Sequence, residues 1–123
     1  MPTLLLTCRP FDGLTLVGVA GELDATNAAD LGTYIEGQHP EWALPLVLDL
    51  AALTFMDSTG LHLLIGLHHR EHEHGGRLHL AAPHARVSRL LQITGTDRLF
   101  HTHPSLQRAL TAARLTLSSA RGA

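Results

Sequence analysis

The chain has no lysine, one cysteine, no glycine-rich phosphate loop and no long apolar run. Each absence excludes a class of protein. Cys8 alone forms no internal disulfide and no multi-cysteine metal site, which fits a reducing compartment. No segment approaches the roughly 18 consecutive apolar residues of a membrane span. Leu4-Leu5-Leu6-Thr7-Cys8 is too short for a lipoprotein signal, and no basic segment precedes it. A cytoplasmic location with no membrane partner is therefore expected. A net charge of −2 leaves no basic surplus for direct nucleic-acid binding. Without a Walker loop or G-x-G-x-x-G, nucleotide binding has no motif and no cofactor is expected.

What is present is a composition suited to one folded domain. Of 123 residues, 45% are hydrophobic and 16% charged, enough to bury a core without the charge excess of a disordered chain. Leu46-Val47-Leu48 reads as a strand buried on both faces, because a half-exposed strand alternates apolar and polar residues. A connection over Ala51 to Phe55 leads to Met56-Asp57-Ser58-Thr59-Gly60. Beyond it Leu61, Leu64, Ile65 and His68 fall on one face of a helix predicted from Thr59 to about His74 and closed by Gly75-Gly76. Ser58 stands at the position a helix N-cap prefers.

Upstream, Leu4–Thr7 and Leu14–Val19 predict an antiparallel hairpin around Asp12-Gly13. Asp24 is a candidate N-cap for a helix from Ala25 to about Glu36, with Ala28, Leu31 and Ile35 inward and Gly37 to Pro40 as its stop. Trp42 reads as a hydrophobic lid over the core edge. Downstream, Arg77 to Ala81 alternates as a strand, Pro83 opens a helix through about Gln92, and Leu99-Phe100 suggests a short last strand. Pro104, at a predicted N1 position, starts a final helix with Leu106, Ala109, Leu110 and Ala113 inward. The expected fold class is α/β, a single domain over 1–115 with a mixed sheet of four or five strands and about four helices. Residues 116–123 are expected to form a flexible tail.

Ser58 has three readings on its residues: a helix cap, a nucleophile, or a phosphate acceptor. The hydrolase elbow G-x-S-x-G is absent, whereas a phosphoryl group at a helix start meets free amides and the positive end of the dipole. Gly60 and Gly66 read as small residues that let the helix lie close to the sheet. His68, His69, His72 and His74 crowd the end of that helix. His68 and His72 have a metal-ligand spacing, but HExxH is absent and no cysteine can join them. The reading taken is a solvated helix end, with no metal expected.

At Phe55-Met56-Asp57-Ser58-Thr59-Gly60-Leu61 the sequence resembles the STAS-domain family, in particular the bacterial anti-sigma factor antagonists. Gly21-Glu22-Leu23-Asp24, Val47-Leu48-Asp49-Leu50, Gly75-Gly76-Arg77-Leu78 and the run from Thr94 to Phe100 resemble it in the same order. The likeness covers roughly Leu4 to Ala113. It implies a mixed sheet packed with helices, and a regulatory module rather than an enzyme, with no catalytic residue of its own. It also implies partner switching: the unmodified protein binds an anti-sigma factor that is a serine kinase, and the sigma factor is freed. Phosphorylation of Ser58 reverses this, and a protein phosphatase removes the mark. The implied partner surface comprises Glu22, Asp24, Asp57, Ser58, Thr59 and Gly60. The alternative is a STAS subunit of another assembly, such as a lipid-transport complex or a stress-signalling scaffold. The His-rich helix end departs from the Arg-, Lys- and Ala-rich end common in the family.

Overall fold

The computed structural model describes residues 3–11 and 13–122, with side chains throughout except at Pro10 and 116–122. Strand β1 (Leu4–Phe11) pairs antiparallel with β2 (Leu14–Leu23), from Leu4 opposite Gly21 to Phe11 opposite Leu14. β1 runs four residues beyond the expected Thr7, because an edge strand tolerates Pro10. Of the predicted turn, Asp12 lies outside the described residues; Gly13 takes the left-handed φ of 77° that a tight hairpin turn requires.

Helix α1 (Ala28–Gln38) follows β2. It starts three residues later than expected, since Asn27, not Asp24, precedes its first turn. The reason is local: the Asn27 carboxamide oxygen accepts the Asp24 amide at 2.9 Å and its nitrogen donates to the Glu22 carbonyl at 2.9 Å, closing 24–27 as a turn of its own.

The chain then forms β3 (Leu46–Asp49), a short turn, and β4 (Leu53–Met56). β4 is a strand where a connection was expected. Its four residues expose Thr54 and Phe55, so it has no buried alternation to read. The ten residues of β2 serve both strands: Thr15 to Gly18 pair parallel with β3, and Gly21 to Leu23 pair parallel with β4 across a bulge. Helix α2 (Ser58–Glu73), β5 (Leu78–Ala81), α3 (Ala85–Thr94), a 3-10 turn (Thr96–Arg98), β6 (His101–His103) and α4 (Leu106–Gly122) complete the order. The sheet runs β1-β2-β3-β5-β6 with β4 beside β2, mixed as expected, and its six strands among the described residues exceed the expected four or five by the short β4.

Four downstream boundaries differ from the sequence pattern. Leu99-Phe100 is not the last strand; Phe100 is buried in the core, and the strand is the following His101-Thr102-His103. Helix α3 begins after Pro83, with His84 Nδ1 accepting the Arg86 amide as its cap. Pro104 precedes α4, because Ser105 Oγ accepts the Arg108 amide at 3.2 Å. The backbone of α4 is helical to Gly122, where a tail over 116–123 was expected; the side chains of that stretch and all of Ala123 lie outside the described residues.

The sheet is a layer between two cores. Val17, Val19, Leu46, Leu48, Leu78 and Leu80 pack with α1, α2 and α3. Leu14, Leu16, Val47 and Ala81 pack with Ala109 and Ala113 of α4. Leu46, Val47 and Leu48 are each fully buried, as a central strand covered on both faces must be.

One polar element lies inside the larger core. The His39 imidazole, fully buried, bridges the Thr15 hydroxyl at 2.7 Å and the Glu71 carboxyl on α2. Burial pushes the Glu71 carboxyl above its usual range, while the His39 contact and the Arg77 amide hold it back. Trp42 covers this pair, its ring edge-on to His39 with centroids 4.9 Å apart and the Arg70 guanidinium 4.1 Å above it. Removing one partner of a buried pair strands the other. Glu71→Ala should therefore cost about 3 kcal/mol of unfolding free energy, measured by urea denaturation. The close-approach reading fails at Gly66, which faces outward with no atom within 4 Å of an added Cβ. Gly66→Ala is accordingly expected to stabilise the chain by up to about 1 kcal/mol through helix propensity, read as a raised Tm.

Candidate functional site at the mouth of helix α2

Because β2 and β4 run parallel, they end at the same edge of the sheet, with Glu22 opposite Phe55 and Leu23 opposite Met56. The loops that follow them are thereby brought together. Ligand and partner sites in open α/β sheets gather outside such carboxyl ends.

Asp57 ties the two loops. Its backbone is extended (φ −99°, ψ −173°), its amide donates to the Leu23 carbonyl at 3.2 Å, and its carbonyl accepts the Leu61 amide. One carboxylate oxygen accepts the Gly60 amide at 3.0 Å; the other accepts the Ala25 amide, across from the β2–α1 loop, at 3.3 Å. Asp57 is thus the N-cap of α2, and the expectation that Ser58 caps it is corrected. An aspartate reaching the third amide ahead satisfies the cap, leaving Ser58 as the first helical residue.

Released from capping, the exposed Ser58 side chain has no hydrogen-bond partner among the described residues. The arrangement lacks the base-to-hydroxyl contact that a nucleophilic serine uses. The amides of Ser58 and Thr59 belong to the orphan donors of a helix start, and no acidic residue occupies the first turn. The hydroxyl therefore stands at the positive end of a 16-residue helix.

Beside it, Asp24 accepts both the hydroxyl (2.6 Å) and the amide (2.9 Å) of Thr26. Those bonds hold the Asp24 carboxyl below its usual range. The structure thus brings Glu22, Asp24, Asp57, Ser58, Thr59 and Gly60 to one end of the sheet. Sequence reasoning missed Asn27, which fastens the Glu22–Asp24 corner, and Phe55, 41% exposed on the adjoining strand. The signal that could have found Asn27 is its residue type, which helix starts favour; Phe55 carried no signal beyond its place in the motif.

Gly60 is the close contact the sequence predicts. An added Cβ would lie 2.8 Å from Met56 Cγ and 2.9 Å from two carbons of Leu23. Gly60→Ala should destabilise by about 1–3 kcal/mol through overpacking, whereas Thr59→Ala, at an exposed position, should stay within about 0.5 kcal/mol. Chemical denaturation of the two variants side by side measures the difference.

Comparison with known proteins agrees with this geometry. Residues 8–109 match the STAS domain family. The anti-sigma-B factor antagonist of Staphylococcus epidermidis is 31% identical over 87 residues, 71% of this chain and 81% of the relative. The crystal structure of an anti-sigma factor antagonist from Mycobacterium paratuberculosis superposes with a TM-score of 0.81 at 30% identity, covering 91% of this chain and 95% of that one. The anti-sigma factor antagonist SpoIIAA in its unphosphorylated form has the same fold, with a TM-score of 0.69 at 19% identity and 98% of both chains covered. The chain belongs to the STAS domain family.

Proposed function

We propose that the protein is an anti-sigma factor antagonist that acts by partner switching at Ser58. The unphosphorylated form binds an anti-sigma factor that is also a serine kinase, and the sigma factor is freed. Transfer of the ATP γ-phosphoryl group to Ser58 Oγ weakens the complex, and a protein phosphatase restores the hydroxyl. In this reading the chain is a substrate and a binding surface, not a catalyst.

The observation that carries the proposal is the exposed, unbonded Ser58 hydroxyl at the first position of α2. A phosphate there adds about two negative charges. The helix start accepts them, because its orphan amides and dipole favour an anion. The core beneath is untouched, since Gly60, Leu61 and Leu64 face inward while Ser58 and Thr59 face out. The partner pays the electrostatic cost: a dianion beside Asp57 and Asp24 repels an acidic or apolar surface docked over Glu22, Asp24 and Asp57–Gly60. The relatives' names support the same assignment.

Incubation with the cognate kinase, ATP and Mg²⁺ is expected to place one phosphate on Ser58, mapped by mass spectrometry. Ser58→Ala should bind the kinase whether or not ATP is present, and Ser58→Asp at least about tenfold more weakly, ~1.4 kcal/mol. Equal affinity of the two variants would refute the switch. Recovery of transporter or scaffold components instead of a kinase in a pull-down would favour the alternative assembly role.

A further inference from the structure

Register places three histidines on one face of the sheet: His79 on β5 lies between Val47 and His101, and His103 lies beside Ala81. That face is the one α4 covers, because Val47 and Ala81 pack with Ala109 and Ala113. His79 is buried, and its Nδ1 stands 3.0 Å from His103 Nε2. Its other nitrogen, Nε2, is buried with no hydrogen-bond partner among the described residues. We propose that the His79–His103 pair is an acid-sensitive latch: neutral rings let α4 close over the sheet, and protonated rings release α4 while the rest of the domain stays folded.

The hydrogen bond between the two rings uses a single proton. A charged His79 carries N–H groups at both nitrogens, and Nε2 has no acceptor for its own, so the added proton strands a buried donor. With both rings charged, two N–H groups face each other. The surrounding charges give no relief. Arg77 precedes His79 on β5, the His101 ring lies 5.8 Å away on β6, and α4 brings Arg108 and Arg114 but no acidic residue. The positive end of α4 begins three residues after His103. Asp49 is the one carboxylate in β3, β5, β6 and α4, and it accepts the Ala51 amide at 3.1 Å. Burial, then repulsion from His103, His101 and Arg77, pushes His79 down to about 4, and burial lowers His103 as well.

Helix α4 is the element free to respond. It comes last in the chain order, and among its described residues Ala109 and Ala113 alone are buried. It takes no part in the larger core beneath α1, α2 and α3, so its detachment leaves that core whole. His103, half-buried, lines an open cleft of about 500 Å³ with Arg108 and Thr111, through which water reaches the pair. Release of α4 returns both rings to their ordinary value of 6.5. The docked helix is therefore favoured in full above that pH and loses the advantage as pH falls toward 4. Ser58 lies on α2, across the sheet from α4. The latch is thus independent of the phosphorylation reading, and either can fail alone.

Amide hydrogen exchange of the full chain, followed by mass spectrometry and expressed as protection factors, reads the latch directly. Protection of α4 from Ala109 to Leu115 is expected to fall at least about tenfold between about pH 7.5 and about pH 5, while β3 and α2 keep theirs. His79→Leu, folded by circular dichroism, should remove most of that fall. His103→Gln, at a half-buried position, should shrink it and serves where His79→Leu does not fold. His72→Asn, exposed on α2, is the control and should leave it unchanged. An α4 whose protection does not change with pH overturns the proposal, as does equal loosening of every element. So does a fall of wild-type size in folded His79→Leu or His103→Gln protein.

Discussion

The divided pairing of β2 is the constraint on which the rest depends. One strand cannot hydrogen-bond along a single edge to two neighbours unless they occupy different lengths of it. β3 takes the first half and β4 the second, with the bulge at Gly21-Glu22 between them. Gly21 makes the bend possible. Its φ of 105° suits glycine, and a Cβ there would lie 2.0 Å from the Thr3 carbonyl oxygen. Because β4 then ends beside β2, the residues after Leu23 and those after Met56 become neighbours.

Asp57 converts that adjacency into a site. A single carboxylate caps α2 through Gly60 and fastens the opposite loop through Ala25. A serine doing the capping would have its hydroxyl committed to a backbone amide and less available for modification. Aspartate at the cap leaves Ser58 exposed on a rigid helix start, while Gly60 lets that start press against Leu23 and Met56. Rigidity and exposure, usually opposed, are supplied here by different residues.

The two ends of α2 are chemically unlike. Its N-terminal end offers a hydroxyl among carboxylates; its C-terminal half carries imidazoles, His68 among them edge-on to Phe100. Within that C-terminal half Glu71 turns inward to His39 and anchors the helix to the end of α1. A buried polar bridge of this kind fixes how the two helices meet more narrowly than apolar contact alone.

Local physics made much of this legible in the sequence. The apolar run Leu46-Val47-Leu48 determined a doubly covered strand, and the spacing of Leu61 and Leu64 determined the buried face of α2. The motif around Ser58 marked the candidate site. Tertiary structure decided what depends on partners remote in sequence. β4 is a strand only because β2 extends past β3 to receive it. Asp57, whose cap to the Gly60 amide is local, gains a second partner in the Ala25 amide 32 residues away. His39 finds Glu71 32 residues away, and Phe100 meets the His68 ring from the far end of the chain. Periodicity reports which face of an element is buried; it carries no information about which two faces meet.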